Sequence, residues 1–130
     1  ALADGSVALV APDGVIRWTK PNPGGVIGGV AATGGRGLAL LSKRRLACYD
    51  LANGSVLWTS DLSADACAPP ALGDALALVP CDDGFVRAIG AADGSARWSF
   101  RAGQAVRVSA TTAPAGAVIA GDHGEVWFVP

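Results

Sequence analysis

Tryptophan recurs at 40-residue intervals, at Trp18, Trp58 and Trp98, and each closes a similar phrase: APDGVIRW at 11–18, LANGSVLW at 51–58 and AADGSARW at 91–98. A fixed period of this length restricts the chain to repeat architectures, in which a unit buries its apolar side only against its neighbours. Gly14, Gly54 and Gly94 each stand four positions before a Trp, and Asp13, Asn53 or Asp93 precedes them. An Asp-Gly or Asn-Gly step supplies the positive φ angle of a hairpin turn at little steric cost, so a turn followed by a strand is being copied. A further copy shows near the end, where Gly121-Asp122-His123-Gly124-Glu125-Val126 repeats Cys81-Asp82-Asp83-Gly84-Phe85-Val86.

Between the turns lie short runs of Val, Leu and Ala without helical periodicity, which predicts an all-β chain. Four strands, A to D, fit each unit. In the second unit they are expected at Val26–Ala32, Gly37–Leu41, Arg45–Tyr49 and Ser55–Thr59, and in the third at Asp65–Leu72, Ala75–Pro80, Phe85–Ile89 and Ser95–Phe100. Four antiparallel strands per 40 residues is the period of a β-propeller blade. The chain divides into a partial blade at 1–20 (strands C and D), blades at 21–60 and 61–100, and a blade at 101–130 lacking its last strand. This count predicts an open ring. It implies either a segment of a longer propeller or closure by self-assembly, the N-terminal strands of one copy completing the last blade of another.

A hydrophobic fraction of 51% against 16% charged residues supports a packed core. Ten basic and eleven acidic residues give a net charge of −1, so no overall field favours nucleic acid. Lys43-Arg44-Arg45 is a cluster of positive charge, and in the repeat register it falls on a B–C hairpin, where a solvated turn is expected. No apolar run approaches the ~18 residues of a membrane helix, and no direct membrane insertion is expected. Cys48, Cys67 and Cys81 match no zinc spacing. Cys67 and Cys81 flank Gly73-Asp74 almost symmetrically, which sets them opposite one another on strands A and B if the hairpin is regular. They are a candidate cross-strand pair, with two reduced buried thiols as the alternative.

The eleven residues Cys48-Tyr49-Asp50-Leu51-Ala52-Asn53-Gly54-Ser55-Val56-Leu57-Trp58 resemble the tryptophan-docking motif of quinoprotein-type (PQQ-like) β-propellers, Ala-x-Asp-x-x-x-Gly-x-x-x-Trp. Ala8 to Trp18 and Ala88 to Trp98 have the same span, and the resemblance covers essentially the whole chain. It implies a structural docking set of Trp18, Trp58, Trp98, Gly14, Gly54, Gly94, Ala8, Asp50 and Ala88, each indole packing on the adjacent blade with its N–H on a backbone carbonyl. Val10 and Gly90 stand where Asp50 keeps the motif Asp, and Cys48 replaces the first Ala. Weaker or different docking is expected at two interfaces.

In dehydrogenases of this family the resemblance implies a catalytic Asp, a calcium held by Glu and Asn, a Trp beneath the quinone and a disulfide between adjacent cysteines. This chain has one Glu (Glu125), two Asn (Asn22, Asn53) and no Cys-Cys pair. No catalytic, cofactor-binding or metal-binding residue is therefore assigned, and neither PQQ nor calcium is expected. Asp82-Asp83 is a vicinal carboxylate pair expected to cap a hairpin, and His123 has no motif partner that would make it a base. The function expected is a non-catalytic bacterial scaffold that presents loops and blade faces to a protein partner, further blades or a second copy. Two alternatives stand beside it: a fragment of a PQQ-dependent dehydrogenase whose ligands lie on other blades, and a small-ligand or carbohydrate binding module supported by Trp127. Family resemblance favours a periplasmic or extracellular setting. Trp127 breaks the 40-residue series and Phe128 follows it, so strand alternation turns one aromatic to each side of the blade and makes the two a candidate interface.

Overall fold

The computed structural model describes residues 6–22, 30–102, 109–113, 116–120 and 125–130. Short apolar runs between turn residues become thirteen strands, and the described residues include no helix. β1 (Val7–Val10) and β2 (Ile16–Lys20) form a two-stranded sheet. β3 (Val30–Thr33), β4 (Arg36–Ser42), β5 (Arg45–Asp50) and β6 (Val56–Asp61) form the second sheet. β7 (Ala71–Leu72), β8 (Leu76–Pro80), β9 (Phe85–Gly90) and β10 (Ala96–Arg101) form the third. β11 (Ser109–Ala113), β12 (Gly116–Ala120) and β13 (Val126–Val129) form the fourth. Each sheet is an antiparallel meander of chain neighbours, and the whole is an all-β, partial propeller.

The innermost strands of each unit depart most from expectation. β3 begins at Val30, and 26–29 of the expected Val26–Ala32 strand lie outside the described residues. The strand expected over Asp65–Leu72 shrinks to β7 plus an isolated Ala66–Cys81 bridge. Pro69 and Pro70 explain this, because proline has no N–H to give to a ladder. Across the two prolines the register also changes, from Ala66↔Cys81 to Ala71↔Leu78. The expected direct opposition of Cys67 and Cys81 is therefore not formed. Cys81 faces Ala66 and is buried, Cys67 is exposed, and both are thiols.

Core residues lie between sheets. Leu38, Leu40, Leu46 and Cys48 of the second sheet pack against Ala77, Val79, Cys81 and Ile89 of the third, with Trp58 across the seam. Leu78, Val86 and Ala88 on the other face of the third sheet pack against Ala117 and Ile119 of the fourth. Val7 and Trp18 of the first meet Ala39, Ala47 and Tyr49 of the second. A strand covered on both faces needs apolar residues without alternation, which is why β4 and β8 read Leu-Ala-Leu-Leu and Leu-Ala-Leu-Val.

Candidate functional site

The aromatic residues spaced by the repeat sit where one sheet meets the next. Trp18 on β2 donates its indole N–H to the carbonyl of Leu51 at 2.8 Å, and Trp58 on β6 donates to Ala91 at 2.9 Å. Both acceptors lie in the turn between the last two strands of the following sheet, two residues before Asn53 or Asp93. Trp58 is 7% exposed, so its ring loses nearly all contact with water while its one polar atom keeps a partner. Trp18 also stacks obliquely on Tyr49, with centroids 6.0 Å apart.

The turn glycine serves two purposes here. Gly54 and Gly94 have φ of 74° and 73°, a left-handed conformation that only glycine adopts without strain. A Cβ on Gly54 would also lie 2.7 Å from Cδ2 of Trp18, and one on Gly94 would lie 2.6 Å from Cε3 of Trp58. The indole therefore rests on bare backbone. Gly14 has φ of 83°, yet a Cβ there would meet nothing within 4 Å.

Asp50 and Gly90 occupy equivalent positions and build the same turn differently. The Asp50 carboxylate accepts the Ala52 N–H at 2.9 Å, while Gly54 N–H reaches the Asp50 carbonyl at 2.7 Å. At Gly90 a Cβ would meet Asp93 Oδ1 at 2.5 Å and Arg97 Nε at 2.7 Å, so those side chains close over the glycine. Gly94 N–H still reaches the Gly90 carbonyl at 2.8 Å, and Trp58 docks there as closely as Trp18 does beside Asp50.

Val10, the third occupant of this position, changes the hairpin. A β-branched apolar side chain offers no acceptor at this position, and the turn closes one residue shorter. Ala11 and Val15 bond at its base, where Asp50 and Ser55 or Gly90 and Ser95 do in the other units. Trp18 consequently stands opposite Leu9, whereas Trp58 and Trp98 stand opposite Cys48 and Ala88. A one-residue slip turns every side chain of a strand to its other face. Val7 and Leu9 point to the second sheet, and Ala8, read from the sequence as the motif's first residue, turns away.

The remaining polar candidates support hairpins. Asp83 accepts both terminal nitrogens of Arg87, at 2.6 and 3.0 Å, and the N–H of Phe85 at 3.2 Å. The Arg87 hydrogen bond holds the Asp83 carboxyl below its ordinary range. Arg87 Nε continues to Ser63 Oγ at 3.0 Å, tying the second sheet's exit to the third sheet. Arg44 pairs with Asp65 at 2.6 Å and Arg45 with Asp61 at 3.0 Å, so this part of the basic cluster closes onto neighbouring carboxylates. Burial pushes the Cys48 and Cys81 thiols up, in Cys81 against the opposing pull of Arg87. Thiolate chemistry is disfavoured at both. His123 and Asp122 lie outside the described residues.

Among the described residues no three His, Cys, Asp or Glu side chains come together around a space for a metal. Asp61, Asp65 and Asp83 are committed to arginines and Asp50 to a turn amide. Trp127 packs against Phe100 at 5.8 Å and faces the third sheet, and Phe128 points the other way and is 56% exposed. Register pairs Trp127 with Ile119 and Phe128 with Val118, which fixes the two faces. The one-residue difference in the first hairpin had no signal in motif spacing, which is identical in all three units; Val10 was its sole trace.

The family described as outer membrane protein assembly factor BamB matches residues 3–129. Among solved structures, BamB from Moraxella catarrhalis superimposes with a TM-score of 0.78 at 20% identity, over 96% of this chain and 42% of that one. Dihydro-heme d1 dehydrogenase NirN, in complex with DHE, gives 0.78 at 24% identity over 98% and 30%. BBS1N, in complex with ARL6DN, gives 0.69 at 16% identity over 95% and 43%. At these identities the likeness shows the fold, and the chain spans less than half the length of each. No curated protein matches.

Proposed function

Because this chain belongs to the PQQ-like propeller family described as outer membrane protein assembly factor BamB, we propose that it is a non-catalytic propeller scaffold that binds protein through its blade faces and loops. The observation that carries this reading is where the side chains are spent. Recurring aromatics and glycines hold sheet to sheet, carboxylates hold hairpins, and large apolar residues are left exposed on three of the sheets: Val10 and Ile16 on the first, Val30, Val56 and Leu57 on the second, Val126 and Phe128 on the fourth. Apolar groups gathered on a sheet face are what a protein partner covers. The reading carries no cofactor, and it sets the protein at the cell envelope, in the periplasm or outside the cell, from the family's outer-membrane role. The described residues include no helix long and apolar enough to cross a membrane.

The second reading, a segment of a quinone-dependent dehydrogenase, draws on the likeness to NirN, whose name is that of a dehydrogenase. Titrating PQQ with calcium into the chain and following tryptophan fluorescence separates the two. The scaffold reading expects no saturable quenching. Saturation at micromolar quinone, abolished by chelating calcium, would replace it with the dehydrogenase reading.

A further inference from the structure

At one seam between sheets an amide stands where the repeat otherwise places an apolar side chain. Asn22, Leu62 and Ala102 follow one another at the 40-residue period, each just after the last strand of its unit. Leu62 and Ala102 are each 7% exposed and belong to the core, Leu62 with the contact between the second and third sheets and Ala102 with the contact between the third and fourth. Asn22 holds the same place beside the second sheet, yet its Nδ2 is shielded from water and donates to no acceptor among the described residues. A buried donor left unmet opposes folding, so an amide in the place of a leucine calls for an acceptor from elsewhere. Asn22 borders a cavity of about 370 Å³, with Leu41, Ser42, Arg44, Arg45 and Asp61 as its other walls, and this is far more room than one water needs.

The walls supply donors in excess. Arg44 and Arg45 each hold a carboxylate through Nε rather than through the terminal nitrogens, Arg44 that of Asp65 at 2.6 Å and Arg45 that of Asp61 at 3.0 Å. Ser42 Oγ already accepts the Arg44 backbone N–H at 3.3 Å. A carboxylate from outside brings acceptors alone, in a planar arrangement that the terminal nitrogens of a guanidinium match. Two guanidinium groups against Asp61 leave the walls positive, and Asp65, paired with Arg44, limits that excess, so a single negative charge fits better than a doubly charged phosphate. From this we infer that the cavity between Asn22 and the Ser42–Arg45 hairpin binds a carboxylate group, which accepts from Asn22 Nδ2 and from the terminal nitrogens of Arg44 and Arg45. A free small acid offers this group, and so does an acidic side chain of a protein partner. Only the second source rests on the scaffold reading.

The test follows the side-chain amide resonances of the isotope-labelled full chain, those of Asn22 being identified by their loss in Asn22→Leu. Sodium acetate, inorganic phosphate and the end-blocked peptides Gly-Glu-Gly and Gly-Gln-Gly are added in turn. Acetate is expected to shift the Asn22 amide saturably and to raise the melting temperature of the wild type. Asn22→Leu, which installs the residue of the next unit, is expected to melt higher than the wild type without acetate and to lose the response to it. Arg45→Gln keeps the amide and is expected to weaken the acetate response about tenfold. If Gly-Glu-Gly acts at lower concentration than acetate and Gly-Gln-Gly does not act, the carboxylate comes from a protein; if acetate acts at the lower concentration, it comes from a free acid. The inference is overturned by the absence of a saturable shift, by an equal shift with phosphate, by an Arg45→Gln response like that of the wild type, or by an Asn22→Leu variant that is less stable. Calcium-dependent quinone binding overturns the scaffold reading and leaves the acetate result standing, so the two failures are distinguishable.

Discussion

The turns around Gly14 and Gly54 share a sequence pattern and a positive φ at the glycine, yet only the second lies beneath an indole. At Gly54 two requirements coincide, a positive φ and a bare surface for Trp18, and at Gly14 the first stands alone. The comparison shows that identical motifs need not have identical energetics in a repeat chain. What each copy contributes depends on whether a neighbour is present to use it.

The largest effect that probes this difference is expected at the seam between the second and third sheets. Trp58→Ala removes a buried ring and a hydrogen bond, and a loss of about 3–5 kcal/mol is expected in urea denaturation. Trp98→Ala, at a half-buried residue that donates no such bond among the described residues, is expected to cost clearly less. Equal losses would break the link between docking and position. Next come the glycines. Gly14→Ala should cost about 1–2 kcal/mol for its left-handed backbone alone, and Gly54→Ala should cost more, because the new methyl displaces Trp18. Tryptophan fluorescence sharpens the test: a spectral change is expected for Gly54→Ala and none for Gly14→Ala.

A smaller loss, about 1 kcal/mol, is expected for Trp18→Phe, which keeps much of the ring contact and deletes the bond to Leu51. Acid should produce the smallest effect. The Asp83 carboxyl is held below its ordinary value by Arg87 and the Asp65 carboxyl by Arg44. Their contribution is present above the unfolded-state value of about 3.9 and is lost as pH falls through the lower folded value. Asp83→Asn should therefore flatten the stability curve below about pH 4 and leave the shape near neutrality unchanged. Because both ion pairs are partly exposed to water, the change is expected to be small.

Strands that owe their existence to local chemistry were legible in the sequence. β5, β6, β9 and β10 fall within one or two residues of expectation because an Asn-Gly or Asp-Gly step both ends one strand and starts the next. The first strand of the third unit was misread because its apolar composition suggested a strand that Pro69 and Pro70 do not allow. Cys67 and Cys81 were symmetric about a turn, but the ladder between them changes register at those prolines. The opposite orientations of Trp127 and Phe128 were legible from alternation. Which of them faced inward was not, because that depends on the sheet against which β13 packs.

The shorter first hairpin behaves like a reading frame for side chains. Substituting one residue in β1 changes one contact, but inserting one between Ala11 and Gly14 would rephase the strand: Val7 and Leu9 would face water, and Ala8 would return beneath the second sheet. In this part of the chain a single insertion therefore exchanges inside for outside, and the length of a turn determines which surface the molecule presents.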